Sequence, residues 1–162
     1  MEIPEELIKA AEERGIDVID LIINAIGKSD PSASIRIRLE LAEKYLNEAR
    51  EYMSKGDAVQ ASEKLYKAAE ECVKALAEKF NTLEYQRAVK EGRWFTEYLQ
   101  KASNTLVSIL GDWVAIGWAA GYVLHVWGFH EAKLSVNDLT NYLRLVENLV
   151  INTRKALETQ GI

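Results

Sequence analysis

The chain has 162 residues, of which 48% are hydrophobic and 28% are charged, with nine glycines, two prolines and one cysteine. This composition excludes disordered, collagen-like and disulfide-bonded small proteins, because apolar residues are plentiful and Cys72 has no partner within the chain. Residues 1–30 carry the entire net charge of −5, since the remaining residues contain equal numbers of acids and bases. No basic patch typical of a nucleic-acid-binding protein stands out.

Residues 1–30 predict a short acidic arm made of two helices. Pro4 can open the first helix, which Gly15 closes, and Asp17 can cap a second helix that Gly27 ends. We expect a single domain over residues 1–162, with this arm at 1–30 and a helical bundle at 31–162.

Helix caps and apolar residues at every third or fourth position predict two long antiparallel helices after the arm. Asp30-Pro31 begins the first helix, Gly56 ends it, and Asp57 caps the second. The inward residues predicted for the first helix are Ile35, Leu39, Ala42, Leu46, Ala49 and Met53. Those predicted for the second are Ala61, Leu65, Ala68, Cys72 and Ala75, with Ala69, Val73, Leu76 and Phe80 beside them.

The second half of the chain predicts a short helix at 83–89 and three further helices. The first of these runs from about Trp94 to Leu110, with Ile109 among its inward residues. The next, 113–126, is apolar on nearly all sides, which places it at the centre of the bundle. Ser135 with Asp138 starts the last helix. The apolar run Trp113–Phe129 is shorter than the ~20 residues of a membrane span. We therefore expect an all-α, up-and-down bundle of four to five long helices with a short N-terminal helical arm.

Two segments carry a family resemblance: LELAEKYLNEAREYMSKGDAVQASEKLYKAAEECVKALAEKF (39–80) and YVLHVWGFHE (122–131). They resemble the archaeal PaREP family, which is similar in turn to HEPN proteins. The resemblance implies a HEPN-like helical bundle. Many HEPN proteins are ribonucleases or toxins that dimerise and use an Arg and a His to cleave RNA. This chain departs from that pattern, because Ala119, Ala120 and Gly121 stand where the Arg would precede His125.

The segment HVWGFHE, His125 to Glu131, is the candidate ligand site. It places two imidazoles, two aromatic rings and an acid at a helix end, where rigid elements meet loops. The expected ligand-binding residues are His125, Trp127, Phe129, His130 and Glu131, and the two histidines are also the only candidate catalytic groups. Five positions along an α-helix put the histidines on different faces, so we expect no metal there.

Two short basic stretches are candidates for holding phosphate. Arg87, Lys90 and Arg93 form one, and Arg36 with Arg38 forms the other. Interleaved glutamates favour a solvated face at both. Cys72 lies on an inward stripe and is expected to be an inert core thiol.

The chain lacks a phosphate-binding glycine loop, paired cysteines and a nucleophile elbow. We expect no cofactor. Whether the protein is an enzyme stays open, although the absence of these motifs favours a protein that is not an enzyme. The first hypothesis is a non-catalytic interaction protein that forms a homodimer or binds a helical partner. The alternative is a divergent ribonuclease or toxin component acting with a nucleotidyltransferase-type partner. RNA or nucleotide binding receives no support from the charge. An acidic N-terminus without a signal peptide favours a cytoplasmic location, with no membrane partner.

Overall fold

The computed structural model describes residues 1–159, in which eight α-helices and one π-helical segment occur and no strand is present. The helices are α1 Glu5–Glu13, α2 Val18–Ser29, α3 Pro31–Ser54, α4 Ala58–Lys79, α5 Leu83–Glu91, α6 Thr96–Leu110, α7 Trp113–Val123 and α8 Val136–Thr159, with the π-helical segment Leu124–His130 between α7 and α8. The arm contains α1 and α2. The all-α prediction is confirmed.

The helix starts follow the predicted capping residues. A side-chain oxygen accepts a backbone N–H three residues later at Asp17 (3.1 Å), Asp30 (3.1 Å) and Asp57 (3.0 Å). At the start of α8, the Asp138 carboxylate accepts the backbone N–H of Ser135, and the Ser135 hydroxyl oxygen accepts the backbone N–H of Asp138. These bonds satisfy N–H groups that have no partner within the helix, so the caps fix where each helix begins.

Helix α4 is the centre of the bundle, and thirteen of its 22 residues are buried. It packs against α3, α5, α6, α7, α8 and the π-helical segment. The central position predicted for 113–126 is wrong. One side of α7 packs against α4, α6 and α8, while Ile116 and Tyr122 on the other side are 50% and 40% exposed. Small residues place α4 at the centre, because alanines let several helices approach it closely.

Glycines permit the close contacts of α7. A Cβ on Gly117 would lie 2.5 Å from the Cβ of Leu149 on α8, and one on Gly121 would lie 2.7 Å from the Cβ of Ala69 on α4. Both distances are far below van der Waals contact. The glycines therefore fix the distance of α7 from its two neighbours.

Two local predictions are wrong. Gly27 does not end α2 but lies buried within it, where a Cβ would be 2.9 Å from Ser34 Oγ. Close packing against α3 therefore explains this glycine, and α2 continues to Ser29. Ile109 is 48% exposed instead of inward, because it lies near the end of α6, beyond the buried Leu106.

A buried ionic cluster joins the arm to α3 and α4. Arg38 Nη1 lies 2.8 Å from Asp20 Oδ1 and 2.9 Å from Glu71 Oε2, and Lys74 Nζ lies 3.1 Å from Asp20 Oδ2. Arg38 is 1% exposed, so the expected solvated face does not include it. Burial alone would raise the pKa of Asp20, but Lys74 and Arg38 outweigh it and hold the pKa below its ordinary value.

A third carboxylate, Glu70, lies 3.7 Å from Lys74. Asp20 and Glu71 already balance the two cations of the cluster, so a charged Glu70 would give the cluster a net negative charge. Burial raises the pKa of Glu70 to about 7, although Lys74 opposes the shift. Glu70 therefore retains its proton into the neutral range.

We expect Glu70→Gln to remove a pH dependence of stability between pH 5 and 8. The folded pKa lies above the ordinary value of 4.5, so the folded state binds more protons in this window and wild-type stability falls as pH rises. The loss should be on the order of 2 kcal/mol. Urea unfolding at pH 5 and pH 8 measures it, with the exposed Glu40→Gln as control. Equal pH dependence in wild type and Glu70→Gln would contradict the assignment.

Candidate functional site

The π-helical segment between α7 and α8 carries both histidines of the chain. Its wider winding is seen in the bond from Glu131 N–H to the carbonyl oxygen of Val126, five residues earlier, at 2.8 Å. Gly128 lets the segment lie directly on α4, because a Cβ there would be 2.1 Å from Ser62 Oγ. Residues five apart are neighbours on a π-helix, so the expectation that His125 and His130 lie on different faces is wrong.

Three side chains form a hydrogen-bonded chain at this segment. His125 Nδ1 lies 3.1 Å from Glu63 Oε2 on α4, and His125 Nε2 lies 3.1 Å from His130 Nε2. Glu63 and His125 are half-buried, and His130 is exposed. The carboxylate can only accept, so Nδ1 of His125 carries the proton of the first bond. The chain thus leads from a partly buried carboxylate to an imidazole at the surface.

Aromatic rings surround His125. Tyr66 stacks on it at 4.1 Å between ring centroids, and Phe129 lies at 6.2 Å in a nearly parallel orientation. The ring of Tyr122 also lies near, at 6.3 Å from that of His125 between centroids. These contacts hold the imidazole plane in one orientation, which a group that moves protons or binds a ligand requires.

The hydrogen bond between the two histidines limits their charge. The bond contains a single proton, so the two rings can hold at most three protons and one positive charge between them. A second positive charge would break the Nε2 contact, because each nitrogen would then carry a hydrogen. The contact between the two Nε2 atoms therefore requires that one of them carries no hydrogen.

The structure brings three of the five expected ligand-binding residues together: His125, Phe129 and His130. Trp127 is 53% exposed and Glu131 is exposed, and among residues 1–159 neither joins the ring contacts of His125. The sequence does not identify Glu63 and Tyr66 as neighbours of His125. They lie on α4, about 60 residues before it, and no local sequence pattern links them to the histidines.

The basic stretch Arg87, Lys90 and Arg93 lies exposed on α5 and just after it. Arg93 covers the ring of Phe95 at 4.3 Å and approaches Gly15 of the arm. The role of this basic stretch in holding phosphate stays a prediction. Cys72 is fully buried, and burial raises the pKa of its thiol to about 12, in agreement with an inert core residue.

A groove of about 640 Å³ lies between the arm and helices α3 and α4. Isoleucines of the arm line one side, and Tyr45, Glu70 and Lys74 line the other. Lys74 is already paired with Asp20 and Glu71. The groove therefore offers an apolar wall, and it does not include the histidines.

An uncharged apolar face lies next to the histidines. We call it the α7 face and define it by Ile116, Ala119, Tyr122 and Trp127, all of which are exposed. Residues 113–130 contain no Asp, Glu, Lys or Arg. Tyr122 stacks on the buried Trp118 at 6.1 Å, so the face is continuous with the core.

Within residues 1–159, every helix is too short or too polar to span a lipid bilayer. In the same part of the chain, no three or more His, Cys, Asp or Glu side chains are grouped in a way that could hold a metal ion.

The comparisons with known proteins identify a family. No curated protein matches the chain. A protein from Sulfolobus solfataricus, known from its crystal structure, shares 42% sequence identity with this chain, and the two structures superpose with a TM-score of 0.68. The match covers 73% of this chain and 97% of that one. The Orf c02003 protein, known from its solution structure, shares 45% sequence identity with this chain, and the TM-score is 0.63. The match covers 72% of this chain and 91% of that one. The model of the archaeal PaREP1/PaREP8 family matches residues 37–150, which include Glu63 and both histidines. The chain therefore belongs to the archaeal PaREP1/PaREP8 family.

Proposed function

We propose that this protein is a non-catalytic interaction module with a HEPN-like bundle, and that two copies associate through the α7 face. The observation that carries the proposal is the exposure of Ile116 (50%) and Trp127 (53%) on a helical stretch without charged residues. Exposed apolar patches of this kind mark protein contacts.

The charge distribution favours a second copy as the partner. In a two-fold dimer the same surface meets itself, so any net charge of the surface repels its own copy. The α7 face carries none, whereas the arm carries −5. Ala119 at the middle of the face is small enough for two helices to approach each other closely. A helical partner protein with an uncharged apolar stripe would meet the same requirements.

We expect the wild-type chain to be a dimer at micromolar concentration and Ile116→Glu to be a monomer. The substitution places two carboxylates near each other across the contact, and such like-charge pairs cost several kcal/mol. Ile22→Glu in the arm is the matched control, because Ile22 is 48% exposed. Sedimentation velocity measures the oligomeric state, and circular dichroism checks folding. A monomeric wild type would contradict the proposal, as would dissociation by the Ile22 variant alone.

A second candidate is the divergent ribonuclease or toxin component acting with a nucleotidyltransferase-type partner. The chain from Glu63 through His125 to His130 favours it, because a carboxylate that orients an imidazole is the usual arrangement of a general base. Such a base could remove the proton of a ribose 2′-hydroxyl.

Under this second candidate, RNA cleavage by the wild type should exceed that by His125→Ala about 100-fold or more. Both proteins are purified without a histidine tag and assayed on the same single-stranded RNA, with His130→Gln as a second variant. Equal background rates for wild type and variants would exclude cleavage through the histidines and leave the interaction module standing.

A further inference from the structure

The Nε2 atoms of His125 and His130 lie 3.1 Å apart. Two imidazole nitrogens bound to one zinc ion at about 2.0–2.1 Å, with an angle of about 90–109° at the ion, are separated by about 2.8–3.4 Å. We infer that the two histidines form a binding site for a late divalent transition-metal ion of the Zn²⁺ type. This inference is independent of the dimer and of RNA cleavage.

Glu63 supplies the support that a metal-binding histidine usually has. Its Oε2 accepts the proton of His125 Nδ1 at 3.1 Å, so the lone pair of His125 is left on Nε2, the atom that faces His130. Metal-bound histidines commonly donate their other N–H to a carboxylate, which fixes the ring and makes the binding nitrogen more basic. Tyr66 stacks on the same ring at 4.1 Å and keeps its orientation.

The π-helical winding makes the pair a chelate. It places residues five apart on one side of the segment, and Gly128 keeps the segment against α4, the helix that carries Glu63. His130 is exposed, so an ion can reach the pair from solvent and the ring can turn toward it. Water would fill the remaining coordination positions, because no third side chain within residues 1–159 completes the set.

The proton balance of binding is simple. In the neutral pair one proton lies between the two Nε2 atoms, and the ion takes its place. His130 then carries its proton on Nδ1, and no net proton is released.

Isothermal titration calorimetry, in which ZnCl₂ is added to the untagged protein, tests the inference. The background is low, because the chain has no other histidine and its one cysteine is fully buried. We expect one Zn²⁺ per chain for the wild type and loss of this binding in His130→Gln, which replaces an exposed side chain. Glu63→Gln should weaken binding 10- to 100-fold while keeping the stoichiometry.

A thermal unfolding series provides a second readout. Saturating Zn²⁺ should raise the Tm of the wild type and leave that of His130→Gln unchanged, because an ion bound only to the folded state stabilises it. The inference is wrong if the wild type binds no Zn²⁺ at millimolar concentration. It is also wrong if His130→Gln binds as tightly as the wild type, which would place the ion on surface carboxylates.

Discussion

Replacing Arg38 by Met is expected to lower the free energy of unfolding by about 3–5 kcal/mol. Arg38 is 1% exposed and contacts Asp20 and Glu71 through the same nitrogen, and its Nη2 donates to Asn24 Oδ1 at 3.1 Å. Without the guanidinium, two buried carboxylates share only Lys74. Their desolvation is then no longer compensated, which is the physical source of the loss.

Urea unfolding at pH 7 measures this effect, and Arg36→Met is the matched control. Arg36 lies on the same helix two residues earlier and is exposed, so its replacement should change stability by less than about 0.5 kcal/mol. Hydrogen exchange adds a spatial test, because α2 depends on Asp20 and should lose protection first. Similar stabilities for the two variants would show that the ionic cluster contributes little to holding the arm.

Replacing Gly128 by Ala is expected to lower the free energy of unfolding by about 1–3 kcal/mol and to separate His125 from Glu63. The new Cβ would lie 2.1 Å from Ser62 Oγ and 2.5 Å from Ser62 Cβ. Ser62 is fully buried and its hydroxyl donates to the carbonyl oxygen of Ala58 at 2.7 Å, so it cannot turn away without losing that bond. The π-helical segment must therefore move off α4, and with it His125 moves away from Glu63.

The double variant Gly128→Ala with Ser62→Gly is the control for this prediction. Removing the Ser62 side chain removes both close contacts, so the double variant should be more stable than the sum of the two single effects by at least about 0.5 kcal/mol. Thermal unfolding of the four proteins gives this coupling energy. Additive effects would mean that the close contact with Ser62 does not determine the position of the segment.

Much of the helical framework could be predicted from local sequence. The caps at Asp17, Asp30 and Asp57 bond neighbours three residues away, so each forms within a few residues of chain. The apolar residues of α3 and α4 follow the period of a single helix, and the predicted stripe from Ile35 to Ala49 is buried. The candidate segment His125 to Glu131 also stood out by composition, although only part of it forms the histidine cluster.

The site itself could not be predicted in the same way. Glu63 lies 62 residues before His125, and Arg38 pairs with acids 18 residues before it and 33 residues after it. Such partners are chosen by the packing of helices, and a short window of sequence carries no sign of them. The contact of the π-helical segment with α4 likewise requires that Gly128 has no side chain where it meets Ser62 of that helix. An α-helical interpretation of the spacing therefore placed the histidines apart.

Local sequence specifies where helices begin and which side of α3 and α4 faces inward, because caps and helical periodicity are properties of short segments. The packing of the helices specifies which helix lies at the centre, which side of α7 remains exposed, and which distant side chains meet at His125 and Arg38. Those outcomes depend on how closely backbones approach, and that distance is set by pairs such as Gly121 with Ala69. Each member of such a pair acquires its role only when the other is in place.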